Sequence, residues 1–185
     1  GKGYTEAMIT NKDRSGWFGA SDTSYIVGNY QTETFKKWWL EKLGLRQSTI
    51  NTKAMQAGTH FEHRILDTIP GVIKDRQITI PKLRLRVNLD GETDIIHEVK
   101  THKVENPYKV PIGHKRQVLV QMYVAKKEAE ILSYGLTEND YRNCFNEIDS
   151  DRLQHHRIEY DEDFITEYLE RLKYLNKCLR EGRMP

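Results

Sequence analysis

Leu83-Arg84-Leu85-Arg86-Val87-Asn88-Leu89-Asp90-Gly91-Glu92-Thr93-Asp94-Ile95-Ile96-His97-Glu98-Val99-Lys100 holds the clearest pattern in the chain. Leu83, Leu85 and Val87 alternate with Arg84, Arg86 and Asn88, the period-two signature of a half-buried strand. Asp90-Gly91 reads as a turn signal, and Asp94 to Lys100 as the returning strand. A hairpin is therefore expected at the centre of the chain.

Working outward, Val72 to Ile80 is rich in β-formers and precedes the hairpin. On its N-terminal side the spacing predicts three helices: from Ser21, read as an N-cap, to Gly28-Asn29; from Thr32 to Leu43, stopped by Gly44; and from Thr52 to Thr68, closed by Pro70-Gly71. After the hairpin come a polar loop over 101–112, a helix from Gly113 to Lys127 and a strand from Ala129 to Leu136. No element is assigned over 137–152. A strand over Leu153 to Tyr160 follows. Asp161 then caps a long helix with Phe164, Tyr168, Leu172, Leu175 and Leu179 along one face. Helices, a strand meander, then helix, strands and helix imply an α/β or α+β domain around a central mixed sheet flanked by helices.

The 185 residues suit one domain, 1–185, with no internal repeat or linker. Lys and Arg number 29 against 27 Asp and Glu, so the chain is highly charged but balanced, unlike a disordered acidic or basic tail. Any basic surface must be local. Cys144 and Cys178 form no CxxC pair, which excludes a four-cysteine zinc or iron–sulfur site and fits a reducing cytoplasm. No apolar run approaches the roughly 18 residues of a membrane helix. Gly1-Lys2-Gly3-Tyr4 has no apolar leader core, so no export is expected.

Chemistry concentrates in the hairpin. Strand alternation points Glu98 and Lys100 to one face, and Asp90 leaves the neighbouring strand beside them. Two carboxylates and the Val99 carbonyl would suit a hard divalent cation such as Mg²⁺, with Lys100 beside it to orient a water or neutralise charge on a phosphate. The plainer reading is a surface hairpin with a cross-paired Glu-x-Lys. On the third helix, Glu62 falls on the stripe of Met55, Gly58, Ile65, Leu66 and Ile69. A carboxylate on a buried face needs a partner, which could be a metal ion, a lysine, or an arginine such as Arg64 or Arg84. Gln117 and Gln121 share a face of the following helix; each is a neutral donor and acceptor, or simply a surface amide. Lys103, Lys109, His114, Lys115 and Arg116 form either a solvated loop or a rail for phosphates. Arg14 and Ser21 could bind a phosphate together, or Ser21 could be only a cap.

Five blocks in order give these pieces a common meaning: Arg14 with Gly19-Ala20-Ser21-Asp22; Asn51 to Gly58 with Phe61-Glu62; Leu89-Asp90-Gly91; Glu98-Val99-Lys100; and Gln117 to Val124. The sequence resembles the PD-(D/E)XK nuclease superfamily, and within it the lambda-exonuclease or YqaJ-type viral recombination nucleases, although Leu89 stands where the superfamily name has proline. The resemblance implies a restriction-endonuclease-like core and a metal-dependent 5′→3′ exodeoxyribonuclease acting on ends of linear double-stranded DNA. It implies Asp90, Glu98, the Val99 carbonyl and Glu62 around two Mg²⁺ ions (or Mn²⁺), Lys100 and Gln117 as catalytic partners, and Arg14 and Ser21 on the 5′-phosphate. Lys103, Lys115 and Arg116 would add DNA contacts. Members can form a homo-trimer ring around DNA and often work with a single-strand annealing protein, in the cytoplasm of a bacterial or phage-infected cell. Two alternatives are an endonuclease of the same superfamily and a DNA-binding module without catalysis.

Overall fold

Strand β2 (Leu85–Glu92) buries Leu85, Val87 and Leu89, as the alternation requires. It lies in a five-stranded sheet of order β1-β2-β3-β4-β5, in a computed structural model that describes residues 14–47 and 53–185. β1 (Ile73–Ile80) pairs antiparallel with β2 along nearly its whole length. β3 (Ile96–Lys103) pairs in parallel with β4 (Ala129–Leu136) over all eight residues, and β5 (Leu153–Ile158) closes the edge antiparallel to β4. Every residue of β4 is buried, as befits a central strand covered on both faces.

The helices are α1 (Thr23–Ile26), α2 (Glu33–Lys42), α3 (Lys53–Leu66), α4 (Ile112–Ala125), α5 (Glu138–Arg142) and α6 (Glu162–Glu181). α4 makes the crossover from β3 to β4 that a parallel pair demands. One core gathers Phe18, Phe35, Trp38 and Trp39 with the inner faces of α4 and α6. The other places Ala57, Phe61, Ile65 and Leu66 of α3 against Val99, Leu132, Tyr134 and Leu136. The mixed sheet with flanking helices is the expected fold class. The start of the third helix at Thr52, the pair Asn51-Thr52 and the Gly1-Lys2-Gly3-Tyr4 terminus lie outside the described residues.

Local rules explain the element ends. Thr32 Oγ1 accepts the Phe35 N–H at 3.0 Å to cap α2, and Asp161 Oδ1 accepts the Phe164 N–H at 2.9 Å to cap α6. Gly44 and Gly182 supply the left-handed turns after these helices. The buried stripe of α6 is rotated slightly from the expected one: Ile165 and Cys178 are inside, with Phe164 and Leu179 at its margin.

Several expectations are corrected. Asp90-Gly91 is not a turn; β2 runs through both, and the chain reverses over Thr93–Ile95. A Cβ on Gly91 would lie 2.6 Å from Leu66 Cδ2, so this glycine admits α3 onto the strand instead of bending it. Ser21 is not an N-cap. Gly19 stands at that position, and its N–H donates to Asp22 Oδ2 at 2.8 Å. The polar loop begins later than 101, because β3 follows β4 out to Lys103. Met55 is exposed and lies off the packed face of α3. The unassigned stretch 137–152 contains α5, capped reciprocally by Thr137 and Asp140, and a 3₁₀ turn over Ser150–Arg152. Among the described residues no helix is long and apolar enough to cross a membrane.

Two buried carboxylates tie the periphery together. Glu92 accepts from Arg76 Nε and Nη2 at 2.6 and 2.9 Å and from Lys127 Nζ at 2.6 Å. The Arg76 hydrogen bond holds its carboxyl below the ordinary value, with Lys127 adding to it against the opposing effect of burial. For Asp140, burial pushes upward, but Arg152, Asn146 and Thr137 outweigh it and the net shift is downward. The unfolded chain therefore takes up these protons first as pH falls. Their stabilisation is complete above the ordinary carboxylate values and is lost below them. Glu92→Gln should flatten the fall of urea midpoint with pH below about pH 4.5, the ordinary value for Glu92. An unchanged slope would show that Glu92 does not contribute.

Candidate active site

β2 and β3 pair only at Gly91–His97 and Glu92–Ile96 and then diverge. The N-terminal segment fills the far end of the gap: Phe18 forms a parallel bridge with Leu85, its N–H donating to Arg84 O at 2.7 Å and its carbonyl accepting the Arg86 N–H at 2.8 Å. Between these anchors no strand pairing joins the facing edges among the described residues, and side chains bridge them. Asp90 Oδ2 accepts the Val99 N–H at 3.0 Å, and Gln121 Nε2 donates to Asn88 O at 3.4 Å. The opening is a cleft of about 320 Å³ whose lining includes Arg14, Ser21, Asp90, Glu98 and Gln117.

Glu98 is buried in the floor. Its Oε1 accepts from Gln121 Nε2 at 3.1 Å and its Oε2 from Gln117 Nε2 at 3.3 Å. Gln117 Oε1 accepts from Lys100 Nζ at 2.8 Å, which leaves the ammonium 3.8 Å from Glu98 Oε2. Both glutamines are therefore bonded parts of the site. α4 supplies them one turn apart on the face that crosses β3.

Glu62 reaches the same place from α3. A Cβ on Gly58, one turn earlier, would lie 2.9 Å from Thr101 Oγ1, so the glycine allows the helix to rest close to β3. The arginine partners are excluded. Arg64 donates to the carbonyls of Cys144 and Asn146 and lies over the Phe61 ring. Arg84 donates to Gly16 O and lies over Trp17. Burial, then the charge of Asp90 and a hydrogen bond shared with it, push the Glu62 carboxyl up to about 8, and Asp75 adds to the rise. Burial and Asp90 likewise hold Glu98 well above the ordinary range, with Lys100 opposing. Carboxylates that resist ionising because burial and one another's charge disfavour it are oxygen donors suited to a hard divalent cation.

Asp75 and His63 were not anticipated. Asp75 lies between Lys74 and Arg76, which pair with Gly91 and Leu89, and is itself skipped by the register, with a left-handed φ of 60°. Its carboxylate is 2.8 Å from His63 Nε2, and Glu62, His63 and Asp75 offer ligand atoms within 4.8 Å of one another. The adjacency of His63 to Glu62 was the available signal; the position of Asp75 depends on strand register. Lys103, Lys115 and Arg116 lie outside the cleft lining, and the Arg116 guanidinium sits over Phe164 at 5.2 Å.

The mixed sheet and flanking helices that carry this acid–lysine cluster share their fold with solved exonuclease structures. An alkaline exonuclease, LHK-Exo from Laribacter hongkongensis, superposes with a TM-score of 0.71 at 20% identity, covering 95% of this chain and 93% of that one. The same enzyme in complex with dAMP gives 0.69 at 19% identity over 91% and 90% of the two chains. A phage-related exonuclease from Haemophilus somnus 129PT gives 0.63 at 14% identity over 89% and 96%. No protein-family model matches the sequence, and no curated protein matches it significantly.

Proposed function

We propose that this protein is a metal-dependent exodeoxyribonuclease that degrades one strand of linear double-stranded DNA from its 5′ end. The observation that carries the reading is the convergence of Glu62 and Lys100 on Asp90, Glu98 and Gln117, three residues that line one cleft with Arg14 and Ser21. The likeness to exonucleases supports it, and dAMP, bound by one of them, is the product class such cleavage yields.

Two Mg²⁺ ions, or Mn²⁺, held by Asp90, Glu98, the Val99 carbonyl and Glu62 would supply Lewis-acid activation of water and of the leaving oxygen. The chain's own residues do the rest. Gln117 and Gln121 fix the Glu98 carboxylate from both oxygens. Gln117 also fixes Lys100, whose ammonium orients the attacking water and offsets charge building on the phosphate. Arg14 and the Ser21 hydroxyl hold the 5′-terminal phosphate, which sets the strand end in register with the carboxylates. Contacts to phosphate carry no base information, so these residues do not themselves select a sequence.

A linear duplex with a labelled 5′ end, with or without a 5′ phosphate, tests the reaction in Mg²⁺. Labelled mononucleotide released faster from the phosphorylated end is the expected result. Cutting of a covalently closed circle would instead establish an endonuclease, and binding without any product a non-catalytic module. Arg14→Ala should erase most of the advantage of the phosphorylated end, a loss of about tenfold, the scale of one charge-assisted contact. An advantage left intact would remove Arg14 from the phosphate site.

A further inference from the structure

Of the three tryptophans, Trp38 and Trp39 are buried, their indole N–H groups donating to Asp22 and to Arg183 O. Trp17 is half-buried and lines the cleft with Asp90 and Glu98. Its position is fixed by the chain on both sides. The Gly16 N–H donates to Lys42 O at 2.8 Å, and the Phe18 bridge pins the next residue to β2. Arg84 donates from Nε to Gly16 O at 2.7 Å and sets its guanidinium 4.4 Å from the Trp17 ring, with that of Arg86 at 5.6 Å. Gly16 has a φ of 75°, and a Cβ there would lie 2.9 Å from Arg84 Nη2, so a glycine is what admits this guanidinium.

An arginine over an indole could simply cover an apolar ring. Here, however, the ring lines the cleft together with Arg86, Asp90 and Glu98, while Arg84 holds the ring from outside the lining. Rings and guanidinium planes are the surfaces on which unpaired bases stack, whatever their identity. We propose that Trp17, braced by Arg84 and Arg86, is the stacking platform for a nucleobase flanking the scissile phosphate. This rests on the nuclease reading and adds a base-binding element to a site otherwise built from phosphate contacts. The platform holds the strand end once it leaves the duplex.

The test is release of the first nucleotide from 5′-phosphorylated duplexes carrying an ordinary or an abasic residue at the first or second position. Wild-type protein should lose about tenfold in kcat/KM at one of these positions when the base is missing, the scale of one base–aromatic stack. Trp17→Ala should lose as much on the ordinary duplex and nothing further on the abasic one. Trp17→Phe should keep most of the wild-type preference. An unchanged ratio of ordinary to abasic cleavage in Trp17→Ala overturns the proposal, as does a wild type indifferent to base loss at both positions. A binding readout separates this from the nuclease reading. A 5′-phosphorylated dinucleotide added in Ca²⁺ should quench tryptophan fluorescence in wild type and not in Trp17→Phe. Quenching without any cleavage would sink the nuclease reading and keep the platform, whereas cleavage without quenching would do the reverse.

Discussion

Asp90→Asn is expected to cut Mg²⁺-dependent cleavage by about a thousandfold, the scale at which losing one preorganised charge contact in an active site is felt. The substitution isolates charge from architecture. Asparagine Oδ1 can still accept the Val99 N–H that Asp90 accepts at 3.0 Å, so the splay of β2 and β3 is kept and thermal stability should change little. What disappears is the negative charge facing both Glu62 and Glu98, and each of those carboxyls is pushed up in part by Asp90. A second readout follows without catalysis. In metal-free protein the Glu62 carboxyl should titrate below its value of about 8, because one cause of its rise is gone. Carbon-detected titration of the glutamate side chains measures it. Near-normal cleavage by Asp90→Asn would remove Asp90 from the metal site. Loss of cleavage with an unmoved Glu62 would mean that the two carboxyls do not share one field.

The residues of this cluster were readable because strand alternation is local. Knowing the period of β3 puts Glu98 and Lys100 on one face, and the helix period puts Gln117 and Gln121 on one face of α4. The bounds of β4 were also readable, although every one of its residues is buried and no in/out alternation marks it. What could not be read depended on partners distant in the chain. Asp90-Gly91 has the sequence of a turn, yet Gly91 is small because Leu66 of α3 rests on it. Ser21 looks like a cap, but Asp22 captures the Gly19 N–H first, since Trp38 and Lys42 hold that carboxylate in place. The Trp17 wall exists only through the pairing of Phe18 with Leu85, and Asp75 meets Glu62 only through the register of β1 on β2. Local pattern thus placed these side chains on shared faces, while the cleft around them came from tertiary contacts that override local signals.

Asp22→Ala should cost about 3–5 kcal/mol of stability, because it leaves a buried cation without its counter-ion. Lys42 has a side chain only 3% exposed, and its Nζ lies 2.8 Å from Asp22 Oδ2. The same carboxylate accepts from the Trp38 indole at 2.9 Å and from the Gly19 N–H at 2.8 Å, so three donors lose their acceptor together. Against a total of about 5–15 kcal/mol for a domain of this kind, that is a large share. Lys42→Met removes the cation and leaves Asp22 with its two remaining donors, so it should cost less. Adding Lys42→Met to Asp22→Ala should then restore part of what Asp22→Ala loses, since the apolar chain fills the space without a stranded charge. Urea unfolding of the three variants measures the coupling. Strictly additive losses would show that the two groups do not act as a pair. The outcome also bears on the site, because Asp22 closes the turn that presents Ser21 and Gly19 to the cleft, so Asp22→Ala should weaken selection of the 5′-phosphorylated end even under conditions where the domain stays folded.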